Sequence, residues 1–294
     1  MIIQPKGIIP PIVTPLDENE NVNKKVISRM VNYLIKGGVH GLFPLGSTGE
    51  GYGLSFSQKK EIIETVVETT NKRVPVYAGT GAITTKEAIR LTRLASDIGV
   101  DAVSVVTPFF IKPNEIELYN HYQSIASSTS LPIILYNNPG LTGINLSVDL
   151  VVKLSQIDNI VGIKDSSGDM AQAAEYIRRT GDDFAVLAGR DILIYGFLAY
   201  GGKGAVASTA NIVPQIVVKI YEEYQKGNYA EALKAQFQLA PLRVAFNLGS
   251  FPVIMKEGLK LLGIDVGYTL KPIEPLTEEA REKLKEVLRG MQVL

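Results

Sequence analysis

Cysteine is absent from this chain of 294 residues, which removes disulfides, thiolate nucleophiles and sulfur-ligated metal sites together. Histidine is scarce. His40 precedes an apolar run, His121 lies in a helical segment rich in Tyr and Asn, and neither has a carboxylate or a second histidine at ligand spacing, so no metal is expected. Net charge is missing too: 30 basic residues balance 30 acidic ones. The one charge-dense stretch, 277–289, reads as a solvated helix face, so neither nucleic acid nor an anionic membrane is an expected partner. No apolar run is long enough to span a bilayer and no secretory leader is recognisable, so a cytoplasmic protein is expected. What remains is an apolar fraction of 46%, ordinary for an enzyme with a large core.

That apolar content is organised. Eight short β-branched or apolar runs occur at 8–13, 40–45, 74–78, 102–106, 132–136, 161–164, 184–188 and 204–207. Helical periodicity fills segments between them, at 23–36, 56–71, 85–97, 115–127 and 169–179. Strand then helix, repeated, is the pattern of parallel strands joined by crossover helices, and the continuous hydrophobicity of the strands fits a sheet buried on both faces. The α/β class is therefore expected, as a (β/α)8 TIM barrel. A doubly wound sheet is the alternative, but Thr14-Pro15-Leu16-Asp17 after the first run is no glycine-rich dinucleotide fingerprint. From 227 onward only helices are expected, at 229–238, 253–262 and 277–290. This divides the chain into a catalytic barrel, 1–226, and a C-terminal helical region, 227–294.

Within such a barrel the chemistry gathers at the carboxyl ends of the strands. Lys164 ends the apolar run Asn159-Ile160-Val161-Gly162-Ile163 and precedes Asp165-Ser166-Ser167-Gly168. Burial there disfavours the charged form of a lysine, and a neutral amine is a nucleophile toward carbonyls. A strand-end lysine that snorkels to solvent or pairs with Asp165 is the plainer reading. Other strand ends supply Gly46-Ser47-Thr48-Gly49-Glu50, Thr107-Pro108-Phe109-Phe110, Tyr136-Asn137-Asn138-Pro139, Gly189-Arg190-Asp191 and Ser208-Thr209-Ala210-Asn211. The glycine-flanked hydroxyls suit a carboxylate beside a keto carbon, or simply a tight turn capping the next helix. Tyr136 suits a proton relay, or is a core aromatic at a strand end. Glu50 reads as a structural residue holding its loop.

The ordered set Gly46-Ser47-Thr48-Gly49-Glu50, Tyr136-Asn137-x-Pro139 with Thr142-Gly143, and Gly162-Ile163-Lys164-Asp165 resembles the dihydrodipicolinate synthase and N-acetylneuraminate lyase family of Schiff-base-forming aldolases. The resemblance implies a homotetrameric barrel acting without a cofactor on pyruvate and an aldehyde. It makes Lys164 the Schiff-base lysine, Tyr136 the proton relay, Ser47 and Thr48 the residues that bind the pyruvyl carboxylate, with Thr48 also counted as catalytic. Gly189, Arg190, Asp191, Val206 and Ser208 are implied in substrate binding. The chain also departs from family patterns. The synthase pattern has an arginine where Leu141 stands and a tyrosine, donated across the dimer, where Phe110 stands; the sialate lyase pattern has an acidic residue at Ile192. The 2-keto-3-deoxygluconate aldolases look closest, so cleavage of a 2-keto-3-deoxy sugar acid to pyruvate and an aldehyde is the leading expectation. Dihydrodipicolinate synthase, N-acetylneuraminate lyase, a sugar-acid dehydratase and a non-catalytic 2-oxo acid binding barrel are the alternatives.

Overall fold

The computed structural model describes residues 3–294. Seven strands, β1 Gly7–Ile8, β2 Tyr77–Gly79, β3 Ala102–Val106, β4 Ile133–Asn137, β5 Ile160–Asp165, β6 Ala185–Ala188 and β7 Gly204–Ala205, form one parallel sheet in the order β1-β7-β6-β5-β4-β3-β2. The expected second strand, 40–45, is not a ladder strand. It joins its neighbours only through isolated parallel bridges, Pro11 to Phe43 and Leu42 to Val76. Prolines explain the interruption: Pro10, Pro11, Pro44 and Pro75 have no N–H to donate along this seam. The bonds that remain still close the barrel. Phe43 N donates to Pro10 O (3.0 Å), Ile12 N to Phe43 O (3.0 Å), Leu42 N to Pro75 O (2.9 Å) and Tyr77 N to Leu42 O (2.8 Å).

Closure is visible in the packing as well. One buried cluster takes a residue from each of the eight segments: Ile9, Phe43, Tyr77, Ala102, Ile134, Val161, Leu187 and Val206. This is the filled interior of a (β/α)8 barrel. A second, larger cluster lies between the outer face of the strands and the surrounding helices, and it continues into the C-terminal helices through Leu239, Leu242, Leu259 and Leu284.

Most of the helices that cover the barrel begin at side-chain caps, though Ile194–Ala199 and Pro214–Gln225 do not. Ser55 and Asn114 each form a reciprocal capping box with the third helical residue, at the starts of Phe56–Thr70 and Glu115–Ala126. No helix among the described residues is long and apolar enough to cross a membrane. Helix Tyr229–Ala245 is longer than the 229–238 expected, because it continues through Pro241. Its extra turns carry Arg243 to the rim of the barrel.

Candidate active site

Strand register brings the two reactive side chains together. In the parallel pair β4–β5, Tyr136 lies opposite Lys164 and Asn137 opposite Asp165. The register shifts by one residue between Ile133 and Ile134, so Ile133 pairs with Ile160 but Ile134 pairs with Gly162. Val161 thus belongs to the inner cluster while Ile163, two residues on, belongs to the outer one. An uninterrupted strand would keep both on the same face. The bulge therefore reverses the alternation and turns Lys164 inward beside Tyr136. Gly162 fits because it lacks a Cβ; an added one would stand 2.5 Å from Ala185 O on β6.

Lys164 is 4% exposed. Its Nζ lies 3.9 Å from the centre of the Tyr136 ring and 5.2 Å from that of Phe43, so the amine is neither a surface group nor paired with Asp165. Asp165 faces the other way, accepting from Asn137 Nδ2 (2.8 Å) and Ser167 Oγ (2.7 Å). Its burial pushes the carboxyl upward against the opposing effect of those hydrogen bonds. Tyr136 Oη accepts from Asn138 Nδ2 (2.8 Å) and lies 3.5 Å from Ser47 Oγ. Burial alone would disfavour its ionisation. The Lys164 charge and the hydrogen bonds of Ser47, Asn138 and Lys164 outweigh it, and the phenol is held below the usual tyrosine range.

Opposite this pair stands the 46–49 loop, flanked by Leu45 and Glu50, both with positive φ. Such backbone is strained outside glycine and persists only where the surroundings fix it. Glu50 supplies the fixing: its fully buried carboxylate lies 2.7 Å from Lys256 Nζ through Oε1 and accepts from Leu270 N (2.6 Å) through Oε2. The amides of Gly49 and Glu50 close the turn on Gly46 O and Ser47 O, whereas those of Ser47 and Thr48 donate to no backbone carbonyl among the described residues. The Thr48 and Ser208 hydroxyls share a hydrogen bond of 3.1 Å.

Lys164, Tyr136, Ser47, Thr48 and Ser208 line one cavity of about 360 Å³, together with Gly189, Arg190 and Asp191. Every expected site residue except Val206 faces it; Val206 belongs to the barrel interior instead. Two others also serve the fold. Gly189 allows close approach, since a Cβ there would stand 2.0 Å from Ser166 Oγ. Asp191 is taken up by the backbone: its oxygens accept from Ser208 N (3.3 Å) and Thr209 N (2.7 Å). It braces the loop after β7.

The cavity wall also holds residues that the sequence reading did not single out, notably Asn138, Ser166, Arg243, Asn247 and Phe251. The last three come from the C-terminal region, where no local pattern marks them. Leu141 lines the cavity and is 61% exposed, while Phe110 projects to solvent at 88% exposure. Arg190 Nε donates to Ser166 O (2.9 Å), and its Nη2 lies 3.8 Å from where a Cβ on Gly140 would stand. A guanidinium thus reaches the ground next to Leu141. A mostly apolar chamber of about 350 Å³ adjoins across Tyr136, Ser47 and Phe251. The histidines are elsewhere: His40 Nε2 lies 3.0 Å from Glu222, and burial pushes buried His121 down to about 4.

Residues 4–291 match the Dihydrodipicolinate synthetase family. The chain is 39% identical to the 4-hydroxy-tetrahydrodipicolinate synthase of Methanospirillum hungatei, covering 96% of this chain and 98% of that one. It is equally identical to the enzyme of the same name from Archaeoglobus fulgidus, covering 98% and 99%. Among solved structures, dihydrodipicolinate synthase from Bacillus anthracis superposes with a TM-score of 0.95 at 39% identity, over 100% of this chain and 99% of that one. A prophage protein of the dihydrodipicolinic acid synthase family from E. coli K12, solved in complex with pyruvate, gives 0.95 at 33% identity over 98% and 99%.

Proposed function

The chain belongs to the dihydrodipicolinate synthetase family and is a Schiff-base-forming carbon–carbon lyase, and from that premise we propose that it condenses pyruvate with aspartate 4-semialdehyde. This reading displaces the 2-keto-3-deoxygluconate cleavage expected from sequence, because the curated relatives cited above carry the synthase name. It also sets aside a non-catalytic binding barrel. The observation that carries the chemistry is Lys164 Nζ packed 3.9 Å from the Tyr136 ring inside a cavity lined with hydroxyls.

Lys164 Nζ adds to the keto carbon of pyruvate and water leaves, forming an imine. Loss of a methyl proton gives an enamine, whose carbon attacks the aldehyde carbon. A C–C bond forms and the aldehyde oxygen takes up a proton. Hydrolysis of the imine then restores the amine. Tyr136, lowered toward the phenolate and in reach of Ser47, is suited to carry these protons. Ser47 and Thr48, with their hydroxyls and unengaged amides, hold the pyruvyl carboxylate. Arg190 takes the place of the arginine missing at Leu141 and pairs with the carboxylate of the incoming aldehyde.

Borohydride reduction in the presence of pyruvate, followed by peptide mapping, tests the class: the adduct is expected on Lys164. Turnover of pyruvate with aspartate 4-semialdehyde against glyceraldehyde tests the acceptor, and a preference for glyceraldehyde returns the sugar-acid reading that Leu141 favours. Assembly as a homotetramer belongs to the same proposal. Exposed Phe110, Ile111 and Ile116 offer an apolar surface to bury, and sedimentation analysis tests it.

A further inference from the structure

Two guanidiniums reach this cavity from different parts of the chain. Arg190 comes from the loop after β6 and Arg243 from the last turn of helix Tyr229–Ala245. Elsewhere on the surface Arg90, Arg178, Arg179 and Arg281 each pair with a carboxylate. Neither Arg190 nor Arg243 has such an ion pair among the described residues; Arg190 bonds a carbonyl and Arg243 stacks 4.7 Å over the Phe246 ring. The wall offers them one carboxylate, already engaged. Asp191 is its sole carboxylate, and both its oxygens already accept from backbone amides. The two guanidiniums thus outnumber the one engaged carboxylate. Pyruvate brings one negative charge to the Ser47–Thr48 end, which leaves the opposite end cationic.

Resting on the proposed pyruvate condensation, we infer that Arg243 is a specificity-determining residue of the acceptor end, where it and Arg190 bind an anionic group on the incoming aldehyde. The group is a carboxylate or a phosphate; both present planar or tripodal oxygens to a guanidinium fork. Helix Tyr229–Ala245 thereby contributes directly to substrate choice. Asn247, one turn further on the same wall, adds an amide beside it.

The test compares wild type with Arg243→Ala and Arg243→Lys on three acceptors: aspartate 4-semialdehyde for carboxylate, glyceraldehyde 3-phosphate for phosphate, and glyceraldehyde as the uncharged control. Arg243→Ala should lower kcat/KM for the preferred anionic acceptor by at least about tenfold, through the acceptor KM, and leave glyceraldehyde and the pyruvate KM nearly unchanged. Arg243→Lys should recover part of the loss. Which anionic acceptor suffers identifies the group. Equal losses on all three acceptors, no loss, or a change confined to the pyruvate KM would overturn the inference. A binding measurement stands apart from turnover: calorimetric binding of succinate, an unreactive dicarboxylate, with pyruvate saturating. Succinate should bind wild type and bind Arg243→Ala more weakly; absence of binding, or equal binding, also overturns it. Failure of borohydride to trap pyruvate would instead defeat the proposed chemistry and leave the succinate result to judge Arg243.

Discussion

The two ends of the cavity are built by different means. At the donor end, Lys164 and Tyr136 are neighbours across one ladder, and a single bulge sets which way they face. Backbone hydrogen bonds repeated along β4 and β5 hold that geometry. The acceptor end has no such frame. Arg243, Asn247 and Phe251 stand on the C-terminal segment, which meets the rim through buried side-chain links. Gln236 accepts from Tyr195 N (3.0 Å) and donates to Asp191 O (3.0 Å); Lys256 pairs with Glu50 and also donates to Tyr268 O. A ladder tolerates the loss of one contact because its neighbours persist, whereas a bridge of two side chains fails when either is removed. The donor end should therefore respond to substitution in chemistry, and the acceptor end in stability and substrate affinity.

The sharpest test of that division is Lys164→Met. It should abolish the pyruvate adduct and lower turnover by more than about a thousandfold, with folding retained, since the replacement is apolar and similar in length. Tyr136→Phe comes next. It should lower kcat by roughly 10²–10⁴-fold while borohydride still traps pyruvate on Lys164. A pH titration separates its causes. Tyr77, Tyr122 and Tyr176 are pushed upward by burial, whereas Tyr136 is held below the usual range by the Lys164 charge and its hydrogen bonds. Ultraviolet titration should show one tyrosine ionising ahead of the rest. That early step should vanish in Tyr136→Phe and move to higher pH in Lys164→Met, where burial is left with less opposition. An unchanged early step in Tyr136→Phe would assign it to another residue.

Where the C-terminal segment meets the 46–49 loop, Lys256→Met should destabilise the fold by about 3–5 kcal/mol, because it leaves the fully buried Glu50 carboxylate without its partner. Burial already pushes the Lys256 ammonium downward, with Glu50 opposing. The double change with Glu50→Gln should recover most of the loss in denaturant unfolding. If the double variant remains as unstable as the single one, the pair's charge is not what joins the 46–49 loop to the C-terminal helices.

This division also explains what the sequence made legible. Parallel strands place their carboxyl ends on one rim whatever the details, so Lys164, Tyr136, Ser47 and Thr48 could be gathered from strand-end positions and motif order alone. The bulge at Val161 could not be read, since Ile160-Val161-Gly162-Ile163 is apolar throughout and carries no alternation to reveal a slip. The segment 40–45 reads as a strand because its residue types suit one, but the prolines that break its ladder sit mostly on neighbouring segments. Glu50 was recognised as a structural residue, while its partner Lys256 is far along the chain in a helix of unremarkable pattern. Arg243 is hidden for a similar reason: the sequence pattern marks a helix only over 229–238, and tertiary packing alone carries the last turn of Tyr229–Ala245 to the rim.

Asp191 gives the smallest effect and the finest discrimination between the two ends. Its residue type and position after β6 suited a hydrogen-bond acceptor for a sugar aldehyde. In the fold its two oxygens instead receive Ser208 N and Thr209 N, and its own carbonyl receives Gln236 Nε2. It thus ties helix Tyr229–Ala245 to the loop that holds Ser208, and Ser208 in turn bonds Thr48 at the donor end. Asp191→Ala leaves two amides without their acceptor, which should cost about 1–3 kcal/mol of stability. Because the loop touches both ends, pyruvate imine formation and acceptor turnover should decline together, by similar factors, alongside the lowered Tm. Asp191→Asn keeps an acceptor oxygen for one amide and should fall between. If Asp191→Ala loses acceptor turnover while imine formation and Tm stay at wild-type values, Asp191 contacts the aldehyde after all, and the boundary between the two ends lies deeper in the barrel.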